Sequence, residues 1–193
     1  MSRKESILDA ATQLFARKGF EATTTAAVAE AAGVSEGTIF HHFKSKDGVL
    51  VHILHEMTIL YCKELQAETS EAGSGMDEIE RMMRFHFRFI LKHSLKSLVI
   101  FRDIPSHFLK LDSPHRQFVI DHASRVVKLF SESIERGRSD GSIREVPARE
   151  TALILRGLLI GLTRLKLLGP PEVPDLSREA IEFCRRSLVT DAR

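Results

Sequence analysis

The chain has 193 residues, 43% of them hydrophobic, and 28 Lys and Arg balance 26 Asp and Glu to a formal net charge of +2. That length allows one large domain, or a small domain joined to a larger one, with enough apolar residues for a substantial core. Near-neutral charge excludes recognition of nucleic acid by bulk positive charge, so any such role needs cations placed locally.

Long stretches keep apolar residues at three- and four-residue spacing and lack the short Val/Thr/Tyr-rich runs of a β protein, which predicts an all-α fold. The first helix is expected over residues 3–18, with Ile7, Leu8, Ala11, Leu14 and Phe15 on one face and Gly19 ending it. Thr24 can cap a second helix, Thr25 to Ala32, which Gly33 stops; Ser35 can cap a third, from Glu36 to about Phe43. Ser45 then caps a long fourth helix that starts at Lys46 and continues to about residue 69, and "TSEAGSG" follows as a loop. A fifth helix is expected from Asp77 to about His93, with shorter helical segments over 95–110. Asp112, Ser113 and Pro114 are read as opening another long helix, closed at "GRSDGS". Pro147 suits the first turn of a helix to about Leu168, and the last helix spans about 176–189 after "GPPEVPD". The domain boundary is placed inside the fourth helix, giving a head of residues 1–46 and a body of residues 47–193.

Two short helices meeting at Gly33-Val34-Ser35, backed by a first helix, satisfy the requirements of a helix-turn-helix. Val34, Ile39 and Phe43 pack beneath, leaving Glu36, Gly37, Thr38, His41 and His42 outward, with Lys44 and Lys46 just beyond. Such a helix presents side chains to base edges while flanking groups hold phosphates. Glu36 equally suits a helix's first turn, His41 and His42 equally suit a solvated face, and Thr24 and Ser35 are caps first.

Residues 5–50, "ESILDAATQLFARKGFEATTTAAVAEAAGVSEGTIFHHFKSKDGVL", resemble the DNA-binding domain of the tetracycline-repressor (TetR) family. The likeness rests on the Ala-Ala…Leu-Phe pattern, Gly19-Phe20, the threonines before the second helix, Ala-x-x-Ala-Gly-Val-Ser, Gly37-Thr38, Phe43 and Lys46. It implies that Thr24 and Thr25 contact a phosphate, that Glu36, Gly37, Thr38 and His41 face bases or adjacent backbone, and that His42 and Lys46 grip phosphates. Ser35 and Phe40 complete this DNA-binding set. Phe40 stands where the family usually has a tyrosine, so the phenolic phosphate contact is missing, and Ala26 stands where polar residues are frequent.

In the body, the helix around Ala152–Leu168 is apolar on most sides and carries Gly157 and Gly161, which suits close approach of another helix. The resemblance implies that this helix and the last one pair with their copies into a four-helix bundle. Ile154, Gly157, Leu158, Gly161, Leu162, Leu165, Ala180, Phe183 and Cys184 would form that dimer interface; the alternative is an interior helix of a monomer. The resemblance also implies a small apolar cavity in the body. Met57, Tyr61, Met82, Phe85, His86, Phe89, Phe101, His122 and Val126 are the candidates for lining it, although Phe and Met stripes are ordinary core as well.

Cys62 and Cys184 belong to no Cys-x-x-Cys or Cys/His ligand pattern and are expected as buried, reduced thiols. His52 and His55 lack a clear third ligand, so neither a metal nor a cofactor is expected. The N-terminus has no apolar signal region, and "ALILRGLLIGLTRLKLLG" is interrupted by Arg156, Arg164 and Lys166, which makes a cytoplasmic protein the expectation. The function expected is a homodimeric regulator, not an enzyme, that leaves a palindromic double-stranded operator when a small apolar or amphipathic effector binds. The alternatives are an activator of the same fold, or a helical carrier or enzyme that retains the head.

Overall fold

The computed structural model describes residues 2–102 and 104–189, together with the backbone but not the side chain of His122. All regular structure among them is helical: α1 (Arg3–Lys18), α2 (Thr25–Ala32), α3 (Glu36–Phe43), α4 (Lys46–Thr69), α5 (Gly75–Lys92), α6 (Ser94–Arg102), a 3-10 turn at Ser106–Leu109, α7 (Arg116–Asp140), α8 (Ala148–Leu168) and α9 (Ser177–Leu188). Packing divides the chain into two compact units, Met1–Leu60 with His93–Val119, and Tyr61–Lys92 with Ile120–Arg193. The division falls within α4, between Leu60 and Tyr61.

Local capping sets the helix starts of the first unit. Ser2 and Glu5 form a reciprocal capping box on α1. The Thr24 hydroxyl accepts from the Ala27 N–H at 3.1 Å, and Ser45 accepts from Gly48 at 3.0 Å. Gly33 adopts the left-handed conformation (φ 65°, ψ 35°) that ends α2 and turns the chain into α3. Gly48 has a different cause: a Cβ there would collide with the Phe43 carbonyl, so only glycine lets the start of α4 lie against the end of α3. Ile7, Phe15, Val28, Ile39, Phe43, Val49 and Ile53 form one buried cluster, and Val99 and Phe108 complete it. The Arg102 guanidinium donates to the Ala16 carbonyl at 3.0 Å, tying α6 to α1. Val99 and Phe108 of the 93–119 segment thus complete the core of the first unit.

In the second unit, α5 packs on both α8 and α9. It begins at Gly75, two residues before the expected Asp77, because its first N–H groups have partners. Gly75 donates to Asp140 Oδ2 (2.8 Å) and Met76 to Ser142 Oγ (3.1 Å). Gly75 also lies directly on Gly137, where a Cβ would overlap the Gly137 backbone and the Ser133 carbonyl. Glu80, 5% exposed, receives Arg185 from α9 through both oxygens and Arg84 from its own helix.

α7 opens later than expected, at Arg116 instead of Asp112–Pro114. Residues 110–116 form successive turns, closed by the Ser113 N–H donating to Lys110 O and the Arg116 N–H donating to Ser113 O, and the Ser113 hydroxyl accepts from the His115 N–H. Pro147 caps α8 from outside instead of lying in its first turn. Cys184 is buried, its thiol pushed up to about 11 by burial, whereas Cys62 is only half-buried; both are free.

Candidate nucleic-acid interface and body site

α2 and α3 are each eight residues long, and each buries few side chains: Val28 and Ala29 from α2, Ile39 and Phe43 from α3. The rest of α3 is not covered by the core. Glu36, Gly37, His41 and His42 are exposed, Phe40 is 47% exposed, and Thr38 is half-buried. Thr24 and Ser35 are exposed; Thr25 and Lys46 are half-buried. The expected DNA-binding residues therefore come together on α3 and the starts of α2 and α4.

The hydrogen bonds assign their protons. Thr24 accepts a backbone N–H, so its own hydroxyl proton remains available to a phosphate oxygen. Ser35 Oγ accepts from the Thr38 N–H at 3.3 Å and lies 3.0 Å from Thr38 Oγ1, so the pair shares one hydroxyl proton and retains the other. The Thr25 hydroxyl instead donates to Glu36 Oε2 at 2.7 Å, which removes its only proton from the phosphate contact expected of it. The Thr25 backbone N–H, in the first turn of α2, still offers a donor there. Lys46 donates to the Phe20 carbonyl at 2.9 Å and sits over the Phe20 ring at 4.2 Å, which fixes the ammonium beside the α1–α2 corner with two donors remaining. Lys44, which ends α3, has a positive φ of 67° and is the one non-glycine residue among the described residues that does; its Nζ lies 3.4 Å from the His41 carbonyl.

The body candidates separate into the two units. Tyr61, Met82, Phe85, His86, Phe89 and Val126 belong to the second, whereas Met57 and Phe101 belong to the first; the His122 side chain lies outside the described residues. Tyr61 meets Phe85 and Phe89 edge-on at 5.2 and 5.1 Å. Its hydroxyl lies 3.2 Å from His86 Nδ1, and His86 Nε2 lies 2.9 Å from Thr163 Oγ1 on α8. Burial holds this imidazole neutral, lowering its pKa to about 4, and raises the Tyr61 phenol. A neutral ring donates from one nitrogen and accepts at the other, so it can bridge both hydroxyls.

A small crevice beside this cluster shares Thr163 with it and is lined further by Phe87, Ile90, Leu91, Leu162, Leu165, Lys166 and residues 173–177. Sequence reasoning missed Phe87, Leu91 and Val173. Phe87 and Leu91 lie on α5, outside the residues singled out there, and Val173 lies in the loop between α8 and α9.

Of the expected interface residues, Ile154 is 71% and Phe183 66% exposed; Leu165, Gly157 and Gly161 are exposed as well, and Leu158 and Leu162 half-buried. Ala180 and Cys184 correct the expectation. Both are buried within their own protomer, because α9 turns that face toward its own chain. Among the described residues no helix is long and apolar enough to cross a membrane, and no group of three or more metal-ligating side chains occurs.

The architecture defines a helix-turn-helix transcriptional regulator. Residues 7–53 match the family described as bacterial regulatory proteins, tetR family, and residues 72–188 match the tetracyclin repressor-like C-terminal domain. The chain belongs to the TetR family of DNA-binding transcriptional regulators. It is 28% identical over 155 residues to the HTH-type transcriptional repressor KstR2 of Mycolicibacterium smegmatis, covering 80% of this chain and 73% of that one. Its fold is similar to the fatty acid degradation regulator FadR of Bacillus halodurans (TM-score 0.84, 19% identity, 96% of this chain and 95% of that one). It is also similar to AibR solved with isovaleryl coenzyme A and operator DNA (TM-score 0.74, 17% identity, 97% and 98%).

Proposed function

We propose that the protein is a homodimeric repressor that reads a two-fold-symmetric operator with one α3 per protomer and leaves it when an apolar or amphipathic effector binds the body. The observation that carries the DNA reading is the exposed α3, whose hydroxyl and imidazole groups stay available beside the Lys46 ammonium at the start of α4, while its apolar side anchors in the core of the first unit. Head residues 1–46 carry recognition, and residues 47–193 carry dimerisation and effector binding. Two α3 helices related by a two-fold axis read half-sites about 34 Å apart. The repressor sense is supported by the likeness to KstR2, and the effector sense by the likeness to AibR, which was solved with an acyl thioester and operator. DNA binding supports a cytoplasmic location, and nothing in the site favours an enzyme reading.

The dimer is supported by Gly157 and Gly161. Each lowers helix stability by about 1 kcal/mol relative to alanine, and a Cβ at either position would meet nothing within 4 Å in its own protomer. No neighbour in the protomer requires glycine there, whereas a second helix crossing closely does. Effector binding must be tighter to the DNA-incompetent state for release to follow. The test is selection of fragments from the source genome, followed by a mobility-shift screen of hydrophobic compounds and acyl thioesters for release. Failure of any fragment to bind as a dimer-dependent complex sinks this reading.

A further inference from the structure

We propose that Glu36, held by the Thr25 hydroxyl, selects cytosine at one position of each operator half-site; this rests on the operator-binding reading above. Three observations carry it. Glu36 stands in the first turn of α3 and is exposed, on the side of the helix that meets the start of α2. Its Oε2 is fixed by a 2.7 Å hydrogen bond from a residue of the other helix of the motif, so the carboxylate does not swing as a free surface glutamate does. That bond leaves Oε1 available as an acceptor with no donor on the group.

A fixed, acceptor-only group is a strong discriminator in the major groove. Cytosine presents an N4 amino donor there; guanine presents N7 and O6 acceptors, and thymine O4. Adenine presents an N6 donor beside an N7 acceptor, so a carboxylate that takes the first confronts the second. A carboxylate among phosphates is also repelled by every DNA sequence alike, and only an amino group opposite it compensates. Glu36 therefore lowers affinity for non-operator DNA while sparing sites with cytosine in register. Thr25 is a positioning residue: without its hydroxyl the carboxylate gains rotamer freedom, and discrimination weakens.

The experiment selects bound duplexes from a random library with the full-length protein and its Glu36→Gln, Glu36→Ala, Thr25→Val and Thr25→Ser variants. Wild type should return a two-fold motif with one cytosine per half-site favoured on the order of tenfold over other bases. Glu36→Gln should change that base to adenine, since glutamine pairs with N6 and N7. Glu36→Ala should erase the preference at that position alone and tighten binding to random DNA several-fold. Thr25→Val should weaken the same preference with the rest of the motif intact, and Thr25→Ser should restore it. A motif identical in wild type, Glu36→Gln and Glu36→Ala overturns the inference while leaving the operator reading standing. So does a Thr25→Val variant that loses affinity for all sequences equally with a shallower salt slope, which would mark Thr25 as a phosphate contact. Absence of any two-fold motif for wild type overturns both.

Discussion

The recognition surface on α2 and α3 and the buried interior of the second unit hold their functional groups by opposite means. Around α2 and α3 the polar groups are mostly exposed: Thr24 to Ala27 and Ser35 to Thr38 are bonds within one turn, and Thr25 to Glu36 joins the two helices. In the second unit Tyr61, His86 and Thr163 are buried and satisfy one another across 25 and 77 residues of sequence. Exposed groups held locally keep donors for a partner; buried groups held at long range complete a core and pin three helices together. The first arrangement suits reading DNA, and the second sets how the body packs.

The largest test of this contrast is on the outer face of α8. Gly157→Leu or Gly161→Leu should leave the protomer folded, because both positions are exposed, a Cβ at either meets nothing within 4 Å, and a helix glycine is removed. Operator affinity should fall on the order of a hundredfold or more as the dimer separates, since bivalent binding multiplies the affinity of a single head. Sedimentation and mobility shift on the same samples check this, and a stable dimer in both variants would break it.

The buried relay should respond to acid. His86 titrates near pH 4 in the folded protein and near 6.5 in the unfolded chain, so the unfolded chain binds the extra proton between those values. Stability from the neutral ring is complete above pH 6.5 and is lost progressively as the pH falls toward 4, by about 3 kcal/mol. Urea melts of wild type and His86→Gln across pH 7 to 4 should differ by that slope, the wild type losing more. Equal slopes would mean that the imidazole is hydrated in solution.

Crossing geometry predicts a smaller effect. Gly75→Ala should cost about 1–3 kcal/mol because its methyl group meets the Gly137 backbone, whereas Gly73→Ala, with nothing within 4 Å, should be near neutral in the same denaturation assay.

Lys46→Ala on the recognition surface should lower the salt-dependence slope of DNA binding by about one unit per protomer and weaken all sequences alike. A change confined to sequence preference, with the slope intact, would mean that the ammonium on Phe20 does not reach a phosphate.

The helix-turn-helix was legible because its determinants are local: a cap three residues from its N–H, a left-handed Gly33, and apolar residues at helical spacing. The same locality makes Ser45, Thr24 and Ser35 recognisable as caps from the order of residues alone. Distant contacts decided the rest. The start of α5 at Gly75 depends on Asp140 and Ser142, some 65 residues away, and on a glycine–glycine crossing that no window of sequence contains. Val99 and Phe108 join the first unit's core through tertiary packing, which no local motif announces. Periodicity placed Ala180 and Cys184 on one stripe with Phe183, but only packing on α5 decided which side of α9 is covered by its own chain. The pairing of Thr25 with Glu36 is of the same kind: both residues were singled out by position, and only the angle between α2 and α3 brought a hydroxyl within 2.7 Å of a carboxylate. Sequence determines caps, turns and apolar faces because their energies act within a turn or two of chain. Which faces meet is set by burial summed over the whole fold.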